Sequence, residues 1–562
     1  MSAEAQALPM GQKVATMIGA LLGLLLAALD QTIVSTAGPF IQKDLAIEPG
    51  IYVWITTSYL VASTVLVPIY GKLSDLYGRR RILLIAIGIF LAGSLACGFS
   101  QSASQLIAFR AIQGIGSAGL FTSAFAVVAD LFPPAERGKW QGMFGAAWGV
   151  SSVIGPLLGG VLTQHLSWHW TFFVNMPIGA VAVGLIVSRM PALRRDHDVA
   201  PRLDIAGAVA LAFATVPLLL ALSLGHAEGT LANGWPWASW QIAALFGTSF
   251  AAAIGFVLIE RRATSPILDL ALFRIKPFAV GSLATFVVGS AFLGAIVFLP
   301  LFMVNVVGLS ATSSGLTTTP LTFGIVAANI TSGQLVSRLG SYKGLLIGSL
   351  VVLVGSFTLL ALTLTTAESQ ASVSLKMVIL GIGLGPSIPL FTLAIQTSVP
   401  MQQIGVATAA ATFFRQMGTT IGIAILGTIF ATSFAGELKR DMPAANEMPP
   451  QMRAMMERGG KGGGEADARV AFNAREITAK ADANIDASPM PASGKAIAKQ
   501  RAHEAIGRVD HAFKQAFTSS LVNVFWISLV IALIGLVITV IMPAVPLRGR
   551  GGGGGPRPAA MD

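Results

Sequence analysis

Residues 71–99, GKLSDLYGRRRILLIAIGIFLAGSLACGF, join a charged turn to an uninterrupted apolar run. The apolar part, residues 82–99, is long enough to cross a hydrocarbon core of about 30 Å as an α-helix. The three arginines before it, Arg79 to Arg81, can remain in water on one side of the membrane. The stretch therefore predicts a membrane-spanning helix that begins at a basic loop.

The same pattern recurs along the whole chain. Fourteen stretches have the length and apolar character of a membrane span, at residues 14–38, 51–71, 82–99, 105–130, 140–164, 168–188, 205–224, 240–259, 278–304, 313–336, 344–365, 373–396, 404–434 and 518–543. Each can cross a lipid bilayer as one helix. The sequence therefore predicts an all-α membrane protein with fourteen transmembrane helices.

The composition excludes a water-soluble enzyme. The 562 residues have a mean hydropathy of +0.72, and only 11% of them are charged, less than half of the share of about 25% that is usual in soluble domains. The single cysteine, Cys97, excludes a disulfide framework and a cysteine-based metal site. The net charge of +11 is spread along the chain, so nucleic acid is not an expected partner.

The distribution of Lys and Arg predicts the orientation in the membrane. If the N-terminus and every second loop are cytoplasmic, these regions hold 20 Lys and Arg, and the opposite short loops hold only Lys43 and Lys376. Because basic residues in short loops stay inside, residues 1–13 and the disordered tail 544–562 are expected in the cytoplasm. We expect a monomeric, multi-pass protein of a bacterial cell membrane.

The long segment 435–517 lies on the extracytoplasmic side in this arrangement. Its basic residues do not contradict the orientation, because long translocated segments largely ignore the charge rule. Residues 495–517 have helical spacing and either extend the last span outward or lie on the membrane surface. The segment is a candidate binding region for an extracytoplasmic partner.

Two ionisable residues lie deep inside predicted spans, where a charge usually marks an ion pathway. Asp30 follows the apolar run GALLGLLLAAL, and its carboxylate can cycle between charged and protonated forms, as proton coupling requires. Arg110 stays charged and can tune a neighbouring acid, and Gln113 lies one turn further along the same helix face. The alternatives are a hydrogen bond between two helices for Asp30, and a structural ion pair or a bond to backbone carbonyls for Arg110.

Glycines and a further arginine distinguish other spans. The run GVSSVIGPLLGG at 149–160 leaves one helix face without side chains and contains a proline, which suits close helix packing or a helix that bends. Its key residues are Gly149, Gly155, Pro156, Gly159 and Gly160. Arg415, near the start of its span, either reaches the membrane surface or lines a cavity. The other candidate cavity residues are Gln113, Trp148 and Asn329.

Asp75 lies in the charged turn, between Gly71 and Gly78. Its carboxylate can cap a neighbouring helix N-terminus or pair with Arg79, forming a latch that breaks during a conformational change. The alternative is a solvated carboxylate in a loop whose arginines only set the topology.

The sequence lacks the motifs of chemically driven transport and catalysis. No Walker A motif, GxSxG motif or Cys/His cluster is present, and the six histidines show no metal-binding spacing. We therefore expect no cofactor and no metal, and a proton gradient as the energy source.

These motifs together resemble those of the fourteen-span drug:proton antiporters (EmrB/QacA type) of the major facilitator superfamily. The stretches that carry the resemblance are LDQTIVSTAGPFI at 29–41, GKLSDLYGRRR at 71–81, LIAFRAIQGIGSAG at 106–119 and GVSSVIGPLLGG at 149–160. The resemblance implies a six-helix bundle over 14–190, two inserted helices over 205–259, and a pseudo-symmetric second bundle over 278–543 that 435–517 interrupts.

The resemblance also implies roles for single residues. Asp30 would carry the coupling proton, Arg110 would tune or relay it, and Asp75 with Arg79 would form a latch between the two bundles. The glycines of 149–160 and Pro156 would form a flexible antiporter helix. The stretch GQLVSRLGSYK at 333–343 repeats the pattern of 71–81, except that Ser337 occupies the position equivalent to Asp75.

The sequence thus predicts a secondary active transporter rather than an enzyme. The favoured function is proton-coupled export of amphipathic drugs, cationic or neutral, by alternating access. The alternative is proton-coupled export or flipping of a lipid or a native secondary metabolite. A sensor or scaffold with a transporter fold is a third interpretation, but it would have no use for Asp30 and Arg110 inside the membrane.

Overall fold

A computed structural model describes residues 8–47, 49–193, 203–226, 234–309, 319–441 and 474–547. The described chain is almost entirely helical. The helices are α1 (Met10–Asp44), α2 (Pro49–Tyr77), α3 (Arg79–Gly98), α4 (Ala103–Leu131), α5 (Pro134–His165), α6 (Trp170–Phe173), α7 (Asn175–Arg189), α8 (Ile205–Leu224), α9 (Trp240–Glu260), α10 (Lys276–Asn305), α11 (Thr319–Leu339), α12 (Lys343–Thr363), α13 (Gln370–Leu384), α14 (Ser387–Ser398), α15 (Ile404–Asp441), α16 (Ala474–Asp486) and α17 (Ala492–Ile541).

Short elements connect some of these helices. The strands β1 (Gly225–His226) and β2 (Trp235–Pro236) pair in parallel between α8 and α9. Two 3₁₀ helices, Leu270–Arg274 and Met401–Gln403, precede α10 and α15.

Each predicted span contains a helix in the structure. Thirteen helical stretches in the described chain are long and apolar enough to cross a membrane, with α6 and α7 forming one of them and α13 and α14 another. The helix at the remaining predicted span, α11, is not among the thirteen. It carries polar side chains such as Asn329 and Ser332, both buried against other helices. The all-helical membrane fold is confirmed, and the count of fourteen spans remains a prediction.

Helix α17 continues well beyond a membrane thickness. Helix α17 has 50 residues, which corresponds to about 75 Å at 1.5 Å per residue. Its first part packs against α16 through Ala481, Ile506 and Val509. Residues 495–517 therefore extend the last span, the first of the two predicted arrangements. Residues 442–473 of the predicted segment 435–517 lie outside the described residues, as do most of the tail 544–562 and residues 1–7.

The hydrophobic core is divided between the two halves of the chain. One large cluster consists of residues of α1–α5 and α7 with Met190, Leu193 and Ala409, and another lies between Ala284 and Met542. Helix α8 packs against both halves, because Leu219 lies in one cluster with Val65 of α2 and Met417 of α15. Phe256 of α9 joins a neighbouring cluster with Leu211 of α8 and Ala407 of α15. The division into two six-helix bundles and two inserted helices stays a prediction.

Candidate functional site

A buried polar cluster surrounds Asp30 in the first half of the chain. The Asp30 carboxylate is completely buried. Arg110 of α4 donates from Nη1 to Asp30 Oδ2 at 2.5 Å, and Gln113 Nε2 donates to Asp30 Oδ1 at 2.7 Å. The structure therefore brings together the three residues that the sequence singled out in the spans of α1 and α4.

A third helix contributes to the same carboxylate. Asn175, at the start of α7, donates from Nδ2 to Asp30 Oδ1 at 3.2 Å and to Ser94 Oγ at 3.0 Å. With Arg110 and Gln113, Asn175 gives Asp30 three side-chain donors. We call Asp30, Tyr59, Ser94, Arg110, Gln113 and Asn175 the Asp30 cluster.

The guanidinium of Arg110 has further partners. Its central carbon lies 4.2 Å from the centre of the Tyr59 ring, and Arg110 Nε donates to the carbonyl of Ile55 at 3.3 Å. The Tyr59 hydroxyl donates to Ser117 Oγ at 2.6 Å. The aromatic ring and the carbonyl interact with the cation directly, so they stabilise the buried charge of Arg110 together with Asp30.

Glycines allow the helices to approach closely enough for these contacts. A Cβ atom on Gly93 of α3 would lie 2.7 Å from the backbone nitrogen of Gln113, and one on Gly114 would overlap the backbone of Tyr59. Both positions require glycine, because the overlapping atoms belong to the backbone of the neighbouring helix. The close packing places Arg110 and Gln113 within reach of Asp30.

Sequence reasoning missed three members of the cluster. Asn175 is an amide inside the apolar run 168–188, a signal that could have identified it. Tyr59 and Ser94 gave no such signal, because single tyrosines and serines are common in membrane helices. Their role follows only from the packing of α2 against α4 and of α3 against α7.

A second polar contact joins the two halves of the chain at the charged turn 71–81. Asp75 pairs with Arg79 and also accepts a hydrogen bond at 2.9 Å from the backbone nitrogen of Val406, in the first turn of α15. Arg79 Nε donates to Asp130 Oδ2 at 2.7 Å. The sequence offered helix capping or pairing with Arg79 for Asp75, and the structure has both. Asp130, at the end of α4, was not identified.

The glycines of this turn lie where a side chain would not fit. Gly78 has φ of 92°, a left-handed conformation that favours glycine. A Cβ atom on Gly71 would overlap Ala409 of α15, and one on Gly405 would overlap the Asp75 carboxylate. In the second half, Ser337 Oγ donates to Gly333 of its own helix at 3.3 Å. We call the end of the molecule with the turn 71–81 and the start of α15 the charged end.

The glycine-rich helix α5 contacts two different partners. Gly149 faces Val326 of α11, whereas Gly155 and Gly159 face Thr32 and Ile33 of α1. Three earlier glycines of α5, which sequence reasoning missed, also lie against α11: Gly138, Gly142 and Gly145. Asn329 of α11 is buried in this contact, with 1% of its surface exposed. The helix runs without interruption through Pro156, and Gly160 faces open space.

The sequence profile of the Major Facilitator Superfamily matches residues 20–423. The chain belongs to this superfamily. This superfamily member is 38% identical over 435 residues to the multidrug transporter protein MdtP of Bacillus subtilis (strain 168). The alignment covers 77% of this chain and 78% of that protein. It is 39% identical over 421 residues to multidrug resistance protein 3 of the same organism, covering 75% of this chain and 80% of that one.

A solved transporter structure shares the fold of this superfamily member. The human organic anion transporter MFSD10 (TETRAN) superposes with a TM-score of 0.55 at 17% identity, covering 75% of this chain and 95% of that chain. At this identity the likeness shows the fold alone. The profile and the bacterial relatives show that the chain is a transporter and not an enzyme, as the sequence predicted.

The remaining cavity candidates occupy different places in this superfamily member. Gln113 is enclosed in the Asp30 cluster, and Trp148 is 40% exposed beside Phe121. Arg415 of α15 lines a pocket between α10, α14 and α15. The other lining residues are Thr285, Val288, Gly289, Ser387, Ile388 and Phe391.

The contact between α5 and α11 predicts the effect of a glycine substitution. A Cβ atom on Gly142 would lie 2.7 Å from the carbonyl oxygen of Asn329, so Gly142→Val forces the two helices apart. We expect a loss of about 1–3 kcal/mol in stability, which is typical of overpacking. Thermal unfolding of the purified protein in detergent measures it. Gly160→Val is the matched control, because Gly160 has no neighbour within 4 Å. Equal unfolding midpoints for the two variants would contradict the assignment.

Proposed function

We propose that the protein is a proton-coupled exporter of amphipathic compounds that works by alternating access in a bacterial cell membrane. It belongs, on this proposal, to the fourteen-span drug:proton antiporters, with both termini and the charged end in the cytoplasm. Two six-helix bundles, 14–190 and 278–543, move against each other, and the helices of 205–259 are inserted between them. The relatives named multidrug transporters support drugs as the cargo.

The observation that carries the proposal is the burial of Asp30 among donors from α4 and α7. A proton on Asp30 removes the negative charge that Arg110 and Gln113 contact. Those donors then lose their best acceptor, and the free-energy balance of the packing between α1, α4 and α7 changes. A carboxylate that shares its donors between helices can therefore couple proton binding to helix movement.

The contact of Asp75 with α15 supplies the second element of the proposal. It joins α2 to the second half of the chain through a charge-assisted hydrogen bond at a helix N-terminus, which is stronger than a neutral one. Breaking this contact is required for the charged end to open. Alternating access would thus use the Asp30 cluster for coupling and Asp75 as the latch.

Proton movement in liposomes tests the proposal. The purified protein is reconstituted into liposomes with an acid interior, and the interior pH is followed after addition of ethidium, N-phenyl-1-naphthylamine or a lipid extract. We expect the two amphipathic dyes to accelerate proton loss over that of protein-free liposomes. Acceleration by the lipid extract alone would favour the lipid exporter instead. No acceleration by any compound would contradict proton-coupled export.

A further inference from the structure

The pocket beside Arg415 contains a cation without a counter-ion in the described chain. Arg415 is half-buried, and among the residues that the structure describes no carboxylate pairs with it and no side chain accepts a hydrogen bond from it. Three buried cations of the described chain each contact a carboxylate: Arg110 contacts Asp30, Arg79 contacts Asp75 and Asp130, and Lys376 contacts Glu368. A fourth, Arg137, donates to the backbone carbonyls of Phe132 and Ala129. Arg415 differs from them.

The pocket walls offer apolar surface. Val288, Ile388 and Phe391 supply most of it, and the two hydroxyl residues already donate elsewhere. Thr285 Oγ1 donates to the carbonyl of Gly281 at 2.7 Å, and Ser387 Oγ donates to that of Leu384 at 2.6 Å. The Arg415 guanidinium therefore supplies the N–H donors that a ligand in this pocket could accept from.

Close packing fixes the backbone that carries Arg415. A Cβ atom on Gly289 of α10 would lie 2.7 Å from the carbonyl oxygen of Arg415. One turn further along α15, a Cβ atom on Gly418 would overlap the backbone of Phe286, and Thr419 Oγ1 donates to Gly289 at 3.3 Å. Helix α15 cannot rotate to carry the charge away without separating from α10.

A cation held without a counter-ion at membrane depth is costly, and such residues mark the path of a substrate or an ion. The planar guanidinium matches a carboxylate or a sulfonate, which it binds with two parallel hydrogen bonds. The acidic group of an amphipathic anion would bind Arg415 in this pocket, and the carbons next to that group would contact Val288, Ile388 and Phe391.

We propose that the pocket between α10, α14 and α15 binds the acidic group of an amphipathic anion through Arg415. The inference rests on the proposed export function and extends its cargo to compounds with a carboxylate or a sulfonate. It also assigns the two charged sites to different halves of the chain, the proton to Asp30 and the anion to Arg415.

A matched pair of fluorescent probes tests the site. The probe 8-anilinonaphthalene-1-sulfonate differs from N-phenyl-1-naphthylamine by its sulfonate. Both are titrated into the purified full-length protein in nanodiscs, with empty nanodiscs subtracted. We expect Arg415→Gln to weaken binding of the sulfonate probe at least about tenfold, as the loss of a hydrogen bond to a charged group implies, and to change that of the neutral probe less than about twofold. Arg415→Lys should retain part of the affinity.

Two controls separate recognition from folding. Arg338→Gln removes the same charge from an exposed position and should bind both probes like the wild type. Because Arg415 lacks a partner in the described chain, Arg415→Gln should also leave the thermal unfolding midpoint unchanged or raise it. A lowered midpoint, with equal losses for both probes, would assign Arg415 a structural role and overturn the proposal.

The remaining outcomes distinguish this inference from the proposed function. Unchanged binding of the sulfonate probe to Arg415→Gln overturns the anion site, and dye-stimulated proton loss in the wild type would still support export. An Arg415-dependent affinity for the sulfonate probe supports the site even in a protein that moves no protons, in which case the proposed export function fails alone.

Discussion

Asp30→Asn is expected to reduce proton-driven accumulation of ethidium in liposomes at least about tenfold. The amide has the shape of the carboxylate but cannot take up or release a proton. The variant therefore has no group at this position through which the proton gradient can drive transport. Exchange of labelled for unlabelled ethidium without a gradient needs no net proton movement and should continue. Accumulation is measured with an imposed pH difference, and exchange is measured with equal pH on both sides.

The same substitution has a predicted effect on stability. It leaves the buried guanidinium of Arg110 without its counter-ion, and removal of one partner from a buried pair costs about 3–5 kcal/mol. The double variant Asp30→Asn, Arg110→Gln removes both charges and should recover most of the thermal unfolding midpoint. It should not recover accumulation, because the protonatable group is still absent.

Asp44→Asn is the matched control for Asp30→Asn. Asp44 ends the same helix and accepts a hydrogen bond from Trp168 Nε1 at 2.7 Å, outside the Asp30 cluster. We expect this variant to accumulate ethidium like the wild type. Recovery of accumulation in the stabilised double variant would show that Asp30 acts only through packing and would contradict its coupling role.

Asp75→Ala is expected to open the charged end of the molecule. The substitution removes the acceptor of the Val406 backbone N–H and leaves Arg79 with Asp130 as its carboxylate partner. A hydrogen bond to a charged group contributes about 1.5–3 kcal/mol, which corresponds to a change of at least tenfold in an opening equilibrium. Hydrogen exchange of a peptide that covers residues 404–409 should therefore accelerate at least about tenfold.

Transport should decline with the loss of this contact. Without the contact between Asp75 and Val406, the closed state of the charged end is less populated. We therefore expect accumulation of ethidium to fall about tenfold. Ser337→Ala is the matched control, because Ser337 occupies the equivalent position and donates within its own helix. Equal exchange rates for 404–409 in Asp75→Ala and Ser337→Ala would contradict the latch.

The sequence predicted the membrane fold well because apolar runs of this length have few alternatives in water. It also identified Asp30, Arg110 and Gln113, since polar side chains in such runs are conspicuous. Their mutual contacts were not predictable, because they depend on which helices pack together. Arg110 and Asp30 are far apart in the chain, and only the packing of α1 against α4 joins them.

Other features escaped the sequence analysis for physical reasons. Asp130 lies at the end of a span, where a carboxylate is as well explained by solvent as by an ion pair with Arg79. The glycines 138, 142 and 145 precede the recognisable run 149–160, and their spacing alone does not reveal α11 as the partner. Helix ends were also inexact, since α1 ends at Asp44 whereas its predicted span ends at residue 38.

Substrate-induced proton release from the purified protein tests the coupling role of Asp30 most directly. The wild type, Asp30→Asn and Asp44→Asn are placed in weakly buffered detergent solution with a pH indicator, and ethidium is added. We expect proton release from the wild type and Asp44→Asn and none from Asp30→Asn. Release from Asp30→Asn equal to that of the wild type would contradict it.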